Sequence, residues 1–298
     1  MISIIITAWR EPKTVSMLVK DIEEEISGLN EEFEILLTCP DEETKQAGIA
    51  CDSLGLVKWV QDKQKGKPQA LNKAIDKAEG EILILTDGDV IVGKEAIAKL
   101  LKGFQNPEVG AVSGRPIPIN SRSNIFGFWA HLLTEVGAHE QRMEKYRNGE
   151  FLDASGYLMA VRRKLLGLIP GNALADDAVI SRMIWARGAK VDYQPEAKVY
   201  VKYPNNLKDW LLQKKRSAGG FIQINDLIGS SAGVKSKRFL EEISGIFRVL
   251  SYPDNVQEFV WTLELVAVRL YLWLLIFWER KVIHKSFEST WVRIESTK

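Results

Sequence analysis

Cysteine is nearly absent from this chain: two in 298 residues, Cys39 and Cys51. Two cysteines cannot build a disulfide framework, so a reducing cytoplasm is the default setting. Histidine is almost as scarce, and His131, His139 and His284 lack the spacing of a zinc site. No excess of one charge exists either. Lys and Arg number 40 against 39 Asp and Glu, a net charge of +1, so bulk charge implies no nucleic-acid partner. Met1–Thr7 lacks the basic region and cleavage site of a signal peptide and reads as a first strand. There is no internal repeat and no low-complexity segment. The longest uncharged apolar run, Leu270–Trp278, has nine residues, where a spanning helix needs about 20. Extending it back to Phe259 brings in Glu264 and Arg269, each costing about 2.5–3.5 kcal/mol at a bilayer centre. A simple span is therefore not expected.

What the chain does have is strand–helix alternation. Ile2–Ile6, Phe33–Leu37, Val57–Val60, Glu81–Leu85 and Val109–Val112 read as strands. Between them Val15, Leu18, Ile22 and Ile26 recur at helical spacing behind Pro12, and further helices are predicted over Pro68–Ala78 and Lys94–Phe104. This pattern predicts an α/β fold with a mostly parallel sheet and helices on both faces. A long helix is expected over 123–147, strand material over Phe151–Val161 broken at Gly156, and a helix over Asp176–Arg187 ended by Gly188. Val191–Tyr193 and Lys198–Lys202 are short strand candidates, and the chain reads as helical from Leu207 onward. The 46% hydrophobic content suits one large domain, or one domain with an appendage.

Charge is unevenly spread. Residues 202–298 hold 15 Lys/Arg and 10 Asp/Glu, net +5, and residues 1–201 hold 25 and 29, net −4. On a helical wheel Glu258, Thr262, Arg269 and Arg280 share a stripe, while Trp261, Tyr271, Trp273 and Trp278 suit a membrane interface. The stretch 256–283 thus has two readings. One is an interfacial helix at the inner face of the membrane, and the other is a helix packed on the rest of the chain or on a second subunit.

Chemistry concentrates in Thr86-Asp87-Gly88-Asp89-Val90, directly after the fourth strand. Open α/β sheets bind ligands beyond the C-terminal ends of their strands. Two carboxylates one residue apart suit a hard cation such as Mg²⁺, held jointly with phosphate oxygens; an Asp-Gly turn is the simpler alternative. Four other stretches lie at comparable positions. Thr7-Ala8-Trp9-Arg10-Glu11-Pro12 leads from the first strand into a helix and suits a nucleotide. Asp41 follows the second strand, either to meet a base or ribose or to cap the helix beginning at Glu42. Lys67, in Gly66-Lys67-Pro68-Gln69-Ala70-Leu71-Asn72, suits phosphates or a base edge, or is a surface lysine. Asp176 and Asp177 open a helix, where the dipole favours them. An Asp beside a substrate hydroxyl is also a general base.

Together these stretches resemble the family-2 inverting glycosyltransferases of the GT-A fold. Residues 7–11 look like that family's P-A-x-N-E loop, with Thr7 in the Pro place and Arg10 in the Asn place. Residues 66–72 are close to its G-K-x-x-A-L-N segment, and Asp87-Gly88-Asp89 matches its D-x-D. Ala175-Asp176-Asp177 stands where the family has E-D, and Gln213-Lys214-Lys215-Arg216-Ser217 resembles Q-x-x-R-W of the polysaccharide-synthase branch, followed by Gly219 and Gly220. The resemblance covers about residues 1–220 and leaves 221–298 as a helical C-terminal region. It implies transfer of a sugar from a nucleotide-diphosphate donor, UDP-sugar favoured, to a hydroxyl on a glycan or lipid-linked acceptor. It also implies Mg²⁺ or Mn²⁺ at Asp89 and Asp87, with Asp177 as base. Thr7, Ala8, Arg10, Glu11, Asp41, Lys67, Asp87, Gly88, Asp89, Asp176, Gln213 and Arg216 would surround the donor. Ser217 in place of Trp puts processive polymerisation in doubt, and without flanking transmembrane helices no export channel is expected within this chain. Two other classes are a nucleotidyltransferase, against which the glycine-free Ala8–Pro12 loop counts, and a non-catalytic nucleotide-sugar-binding or membrane-scaffold protein.

Overall fold

A computed structural model of the chain describes residues 1–228, 246–283 and 294–297. The helix expected over 229–245, residues 284–293 with His284, residue 298 and the Arg280 side chain lie outside the described residues. Eight strands form one sheet in the order β3-β2-β1-β4-β7-β6-β8-β5. They are β1 Ile2–Thr7, β2 Phe33–Cys39, β3 Val57–Gln61, β4 Ile82–Asp87, β5 Val90–Val92, β6 Val109–Pro118, β7 Leu158–Arg162 and β8 Lys190–Val201. The first four are parallel, as the alternation predicts. Beyond them β7 runs antiparallel between β4 and β6, and β5 pairs antiparallel with the end of β8, so the sheet is mixed.

Both faces of the central strands are covered, which is why they read as continuous apolar runs rather than alternating ones. All six residues of β1 are buried. On one face α1 (Pro12–Ile26) buries Val15, Leu18, Ile22 and Ile26, each burial worth about 2 kcal/mol. With α2 (Glu42–Ala50) and α4 (Ala96–Lys102) it closes one core. On the other face α3 (Lys67–Lys77) and α7 (Asp176–Ala186) pack over Ile5, Leu36, Leu83 and Leu85.

The helical stretch over 123–147 is present but not uniform. It comprises α5 (Ile125–Thr134), a π-helical turn over Glu135–Glu140, and α6 (Gln141–Arg147). Residues 151–157 are not strand. Their amides are taken by side chains instead: Ala154 N–H donates to Ser181 Oγ, Ser155 N–H to Ser113 Oγ and Gly156 N–H to Asp177 Oδ2. The two short strands expected near 191 and 198 are one long strand, β8, with an irregular register against β6.

Three α-helices and a 3₁₀ turn over Glu295–Thr297 complete the described chain; the helices are α8 (Leu207–Ile228), α9 (Ile246–Ser251) and α10 (Val256–Lys281). One face of α10 packs on α5 and α8 through Thr262, Leu265, Leu272 and Ile276. Trp129 Nε1 donates to Trp261 O (2.7 Å), and Arg122 makes a two-pronged contact with Glu258 (2.8 and 2.7 Å). The packed reading of 256–283 therefore holds for one face. By length and composition the stretch Val256–Glu279 is also apolar enough to cross a membrane, and only 22% of its most apolar part is buried.

Candidate active site

The C-terminal ends of β1 and β4 lie in register, Thr7 beside Asp87. Thr7 Oγ1 donates to Asp87 Oδ1 (3.2 Å), and Gly88 N–H donates to Thr7 O (2.8 Å). A Cβ on Gly88 would stand 2.5 Å from Ala8 Cβ and 2.8 Å from Glu11 Oε2. Only glycine lets the β4 loop press this close to the β1 loop. Arg10 has φ of +57°, a left-handed conformation uncommon outside glycine. Its N–H is caught by Asp41 Oδ2 (2.8 Å).

Lys67 opens α3 behind Gly66, whose φ is +98°. Its Nζ lies 2.7 Å from Asp87 Oδ1 and 3.3 Å from Asp176 Oδ2. One ammonium thus joins the ends of two chain segments about ninety residues apart. Burial disfavours that charge, but Asp176 and Asp87 outweigh it and hold the Lys67 pKa above its ordinary value. Asn72, at the end of the same motif, exchanges hydrogen bonds with the main chain of Ile169 (2.7 and 3.0 Å). It ties α3 to the loop before α7 and so fixes the distance from Lys67 to Asp176.

Asp177 is held by main chain. Its Oδ2 accepts from Gly156 N–H (3.0 Å) and its Oδ1 from Ala178 N–H (2.9 Å). Burial, and then the charge of Asp176, pushes its carboxyl up to about 6, against the pull of Lys67 and the two amides. A carboxylate ionising just below neutrality is suited to accept a proton. The helix α8 passes the start of α7 closely, since a Cβ on Gly220 would stand 2.7 Å from Ala175 Cβ. That approach sets Gln213 and Arg216 in the cleft wall. Gln213 Oε1 is buried without a protein partner.

The cleft has a volume of about 1690 Å³, more than a single drug-sized ligand fills. Thr7, Ala8, Glu11, Lys67, Asp87, Asp89, Asp176, Asp177, Gln213 and Arg216 all line it. Arg10, Asp41 and Gly88 do not; they shape it from behind. Asp41 caps α2, accepting from Thr44 N–H (3.0 Å) as well as from Arg10. Burial works against its charge, yet these hydrogen bonds keep its pKa below the ordinary value.

Sequence reasoning missed Asp62, Tyr157, Tyr203 and Arg142, which also line the cleft. Asp62 had a readable signal. It follows β3 directly, as Asp41 follows β2 at a short remove and as Asp87 ends β4. Its carboxyl is raised by burial. Tyr157 and Tyr203 meet edge to face with ring centres 6.1 Å apart, and burial raises both phenols. No local pattern announces them.

Among the described residues no three His, Cys, Asp or Glu side chains group to hold a metal by themselves. Asp87 and Asp89 offer hard oxygen donors at a place where the remaining ligands would come from a bound diphosphate. That donor set fits Mg²⁺ or Mn²⁺.

A family model described as "Glycosyltransferase like family 2" matches residues 1–220. An N-acetylglucosaminyltransferase of Rhizobium meliloti is 26% identical over 225 residues, 68% of this chain and 53% of that one. The poly-beta-1,6-N-acetyl-D-glucosamine synthase of Staphylococcus aureus is 25% identical over 186 residues, 59% of this chain and 43% of that one. The chain thus spans about half the length of these curated relatives, or less. Among solved structures, a mannosyltransferase from Pyrobaculum calidifontis in complex with GDP-Man and Mn²⁺ superposes with a TM-score of 0.62. It is 18% identical, over 97% of this chain and 82% of that one, a likeness of GT-A fold.

Proposed function

The chain belongs to glycosyltransferase family 2, and from that footing we propose that it moves a sugar from a nucleotide-diphosphate donor to an acceptor hydroxyl with inversion. The observation that carries this reading is the meeting of Asp87, Lys67, Asp176 and Asp177 in one cleft, where one ammonium joins Asp87 to Asp176. The nucleoside lies over the β1–β3 ends, against Trp9, Pro40 and Asp62. Thr7, Ala8, Glu11 and Lys67 face its ribose and phosphates, while Arg10, Asp41 and Gly88 hold the loop shape. The UDP-linked class remains the favoured donor.

Asp89, with Asp87 beside it, would hold Mg²⁺ or Mn²⁺, which when bound neutralises charge on the leaving diphosphate. Asp177 takes the proton from the acceptor hydroxyl, and that oxygen forms the new bond to the anomeric carbon. The bond from that carbon to the diphosphate breaks, and the diphosphate leaves with the electron pair. Gly156 and Ala178 orient the Asp177 carboxylate through their N–H groups, so it reaches the reaction already aimed. Arg216 and Gln213 close on the diphosphate or acceptor from α8. A planar guanidinium matches phosphate oxygens in pairs.

We also propose residues 1–220 as the catalytic unit and 221–298 as a helical C-terminal region. The apolar outer face of α10 supports a peripheral contact with the inner face of the cell membrane.

A donor screen tests the reading. Purified protein is incubated with Mn²⁺, a panel of UDP-, GDP- and dTDP-sugars and candidate acceptors, and released nucleoside diphosphate is measured. Release with one donor class, abolished by chelator, is expected. Silence across donors and acceptors, with nucleotide-sugar binding intact, would make the chain a binding protein.

A further inference from the structure

The helix α10 serves two surfaces at once. Leu265, Val266, Arg269, Leu270, Leu272 and Trp273 line the catalytic cleft. The adjoining face carries Phe259, Leu263, Leu270, Leu274 and Phe277, which are 43–69% exposed. At 100° per residue these five fall within about 60° of one another, a stripe about 27 Å long at 1.5 Å per residue. Glu264 and Arg269 both lie off that stripe, and Arg269 points to the cleft side. Leu270 belongs to both surfaces, lining the cleft while 49% exposed.

The cleft wall is charged as well as apolar. Arg142, Lys202, Lys214, Arg216 and Arg269 are among its cations. Among its carboxylates, Glu144 pairs with Arg248 (2.7 Å) and Asp153 with Arg182. Arg142 gives its Nε–H to Asp153 O (2.9 Å), but its Nη1 is buried with no partner. A buried guanidinium nitrogen without an acceptor is expensive, and a ligand oxygen would satisfy it. Residues 202–298 together carry net +5.

Resting on the reading of the cleft as a site of glycosyl transfer, we propose that the acceptor is an amphiphile, a saccharide borne on a long-chain lipid phosphate. The saccharide hydroxyl faces Asp177. The phosphate lies against Arg142 and the cations of α8. The tail leaves past Leu270 onto the outer face of α10, which is seated in a bilayer. A soluble glycan would leave the stripe without a role. A second copy of the chain is poorly served, because a stripe about 10 Å wide offers roughly 300 Å², well under the ~800 Å² per partner of a stable interface.

The test uses the full chain and phosphatidylcholine vesicles containing farnesyl phosphate, farnesol or phosphatidylglycerol, with cosedimentation as readout. Binding to farnesyl phosphate vesicles at least tenfold tighter than to the other two is expected. Arg142→Gln should remove that preference, and Leu270→Asp should weaken binding to every vesicle at least tenfold. Both variants should keep the wild-type melting temperature and Mn²⁺-dependent binding of nucleoside diphosphate. If Arg142→Gln melts early, Lys214→Gln takes its place. Equal binding to farnesol and farnesyl phosphate vesicles, equal binding to phosphatidylglycerol, or no vesicle binding at all would overturn the proposal while donor binding stands. Loss of nucleoside diphosphate binding in the wild type would instead overturn the transfer reading beneath it.

Discussion

Replacing Asp177 by Asn should make the protein inactive and more stable together, and pH should separate the two effects. Burial, with the charge of Asp176 behind it, lifts this carboxyl from 3.8 to about 6. The folded chain therefore binds the proton more tightly than the unfolded chain. The contribution of this group to stability is fully present below pH 3.8 and is lost as pH rises through 6. The loss totals about 3 kcal/mol, from about two pKa units at about 1.4 kcal/mol each. Asn carries no charge to bury, so it escapes this loss. It has one acceptor oxygen where Asp177 uses two, and stranding the Gly156 or Ala178 N–H costs about 1–2 kcal/mol. At pH 8 the variant should gain about 1–2 kcal/mol, a rise in melting temperature of about 2–6 °C. At pH 4, where the native Asp177 is already protonated, the gain should vanish. Calorimetric melts at the two pH values measure this. In parallel, the initial rate of nucleoside diphosphate release in the wild type should fall about tenfold from pH 7 to pH 5, as the ionised fraction drops. The variant should be slower by about 10²–10⁴, with no such limb. Equal melting temperatures at pH 8, or retained turnover in the variant, would refute the assignment.

Lys67→Met leaves Asp87 and Asp176 without their shared cation and should cost about 3–5 kcal/mol, read by urea denaturation. The same change removes a charge that lowers the Asp177 pKa, so the acid limb of the rate profile should move to higher pH. Asp89→Ala should abolish the part of donor affinity that depends on metal, so calorimetric titrations with and without chelator should coincide for the variant and differ for the wild type. Gly88→Ala drives a methyl against Ala8 and should destabilise by about 1–3 kcal/mol while weakening donor binding, checked by melts with and without nucleoside diphosphate. Arg122→Ala leaves Glu258 without its guanidinium and should loosen α10, visible as faster limited proteolysis around Tyr252–Asn255 with the sheet still folded.

The sequence was readable wherever structure is local. The strands β1, β2 and β4 are mostly isoleucine and leucine bounded by turns, and burial on both faces leaves no competing pattern. The edge strand β5 was missed because Val90–Val92 is three residues long and takes its partner from Val199–Val201, about a hundred residues away. Phe151, Leu152 and Ala154 are buried and so looked like strand. The amides of Ala154, Ser155 and Gly156 go to Ser181, Ser113 and Asp177, partners invisible to periodicity. Nor does periodicity say that β7 enters the sheet antiparallel. In the cleft, Asp87, Lys67, Asp176 and Asp177 carry spacing signals and do meet. Arg142 and the two tyrosines reach it only through packing of distant helices, which no short motif encodes. Asp41 caps a helix, as the simpler of its two readings has it, and its hydrogen bond from Arg10 also shapes the loop after β1.

Gly156 decides how far the loop over 151–157 is open to redesign. It supplies the N–H that aims Asp177, and a Cβ there would stand 3.2 Å from the same carboxylate, so no other residue gives the hydrogen bond without a push. Its neighbours Asp153, Ala154 and Ser155 are anchored through side chains of other elements or through their own amides. Exchanging loops between relatives to change acceptor preference should therefore turn first on this position. A grafted loop keeps this geometry if its apex is glycine in register with Asp177 and a carboxylate at position 153 still meets the buried Arg182.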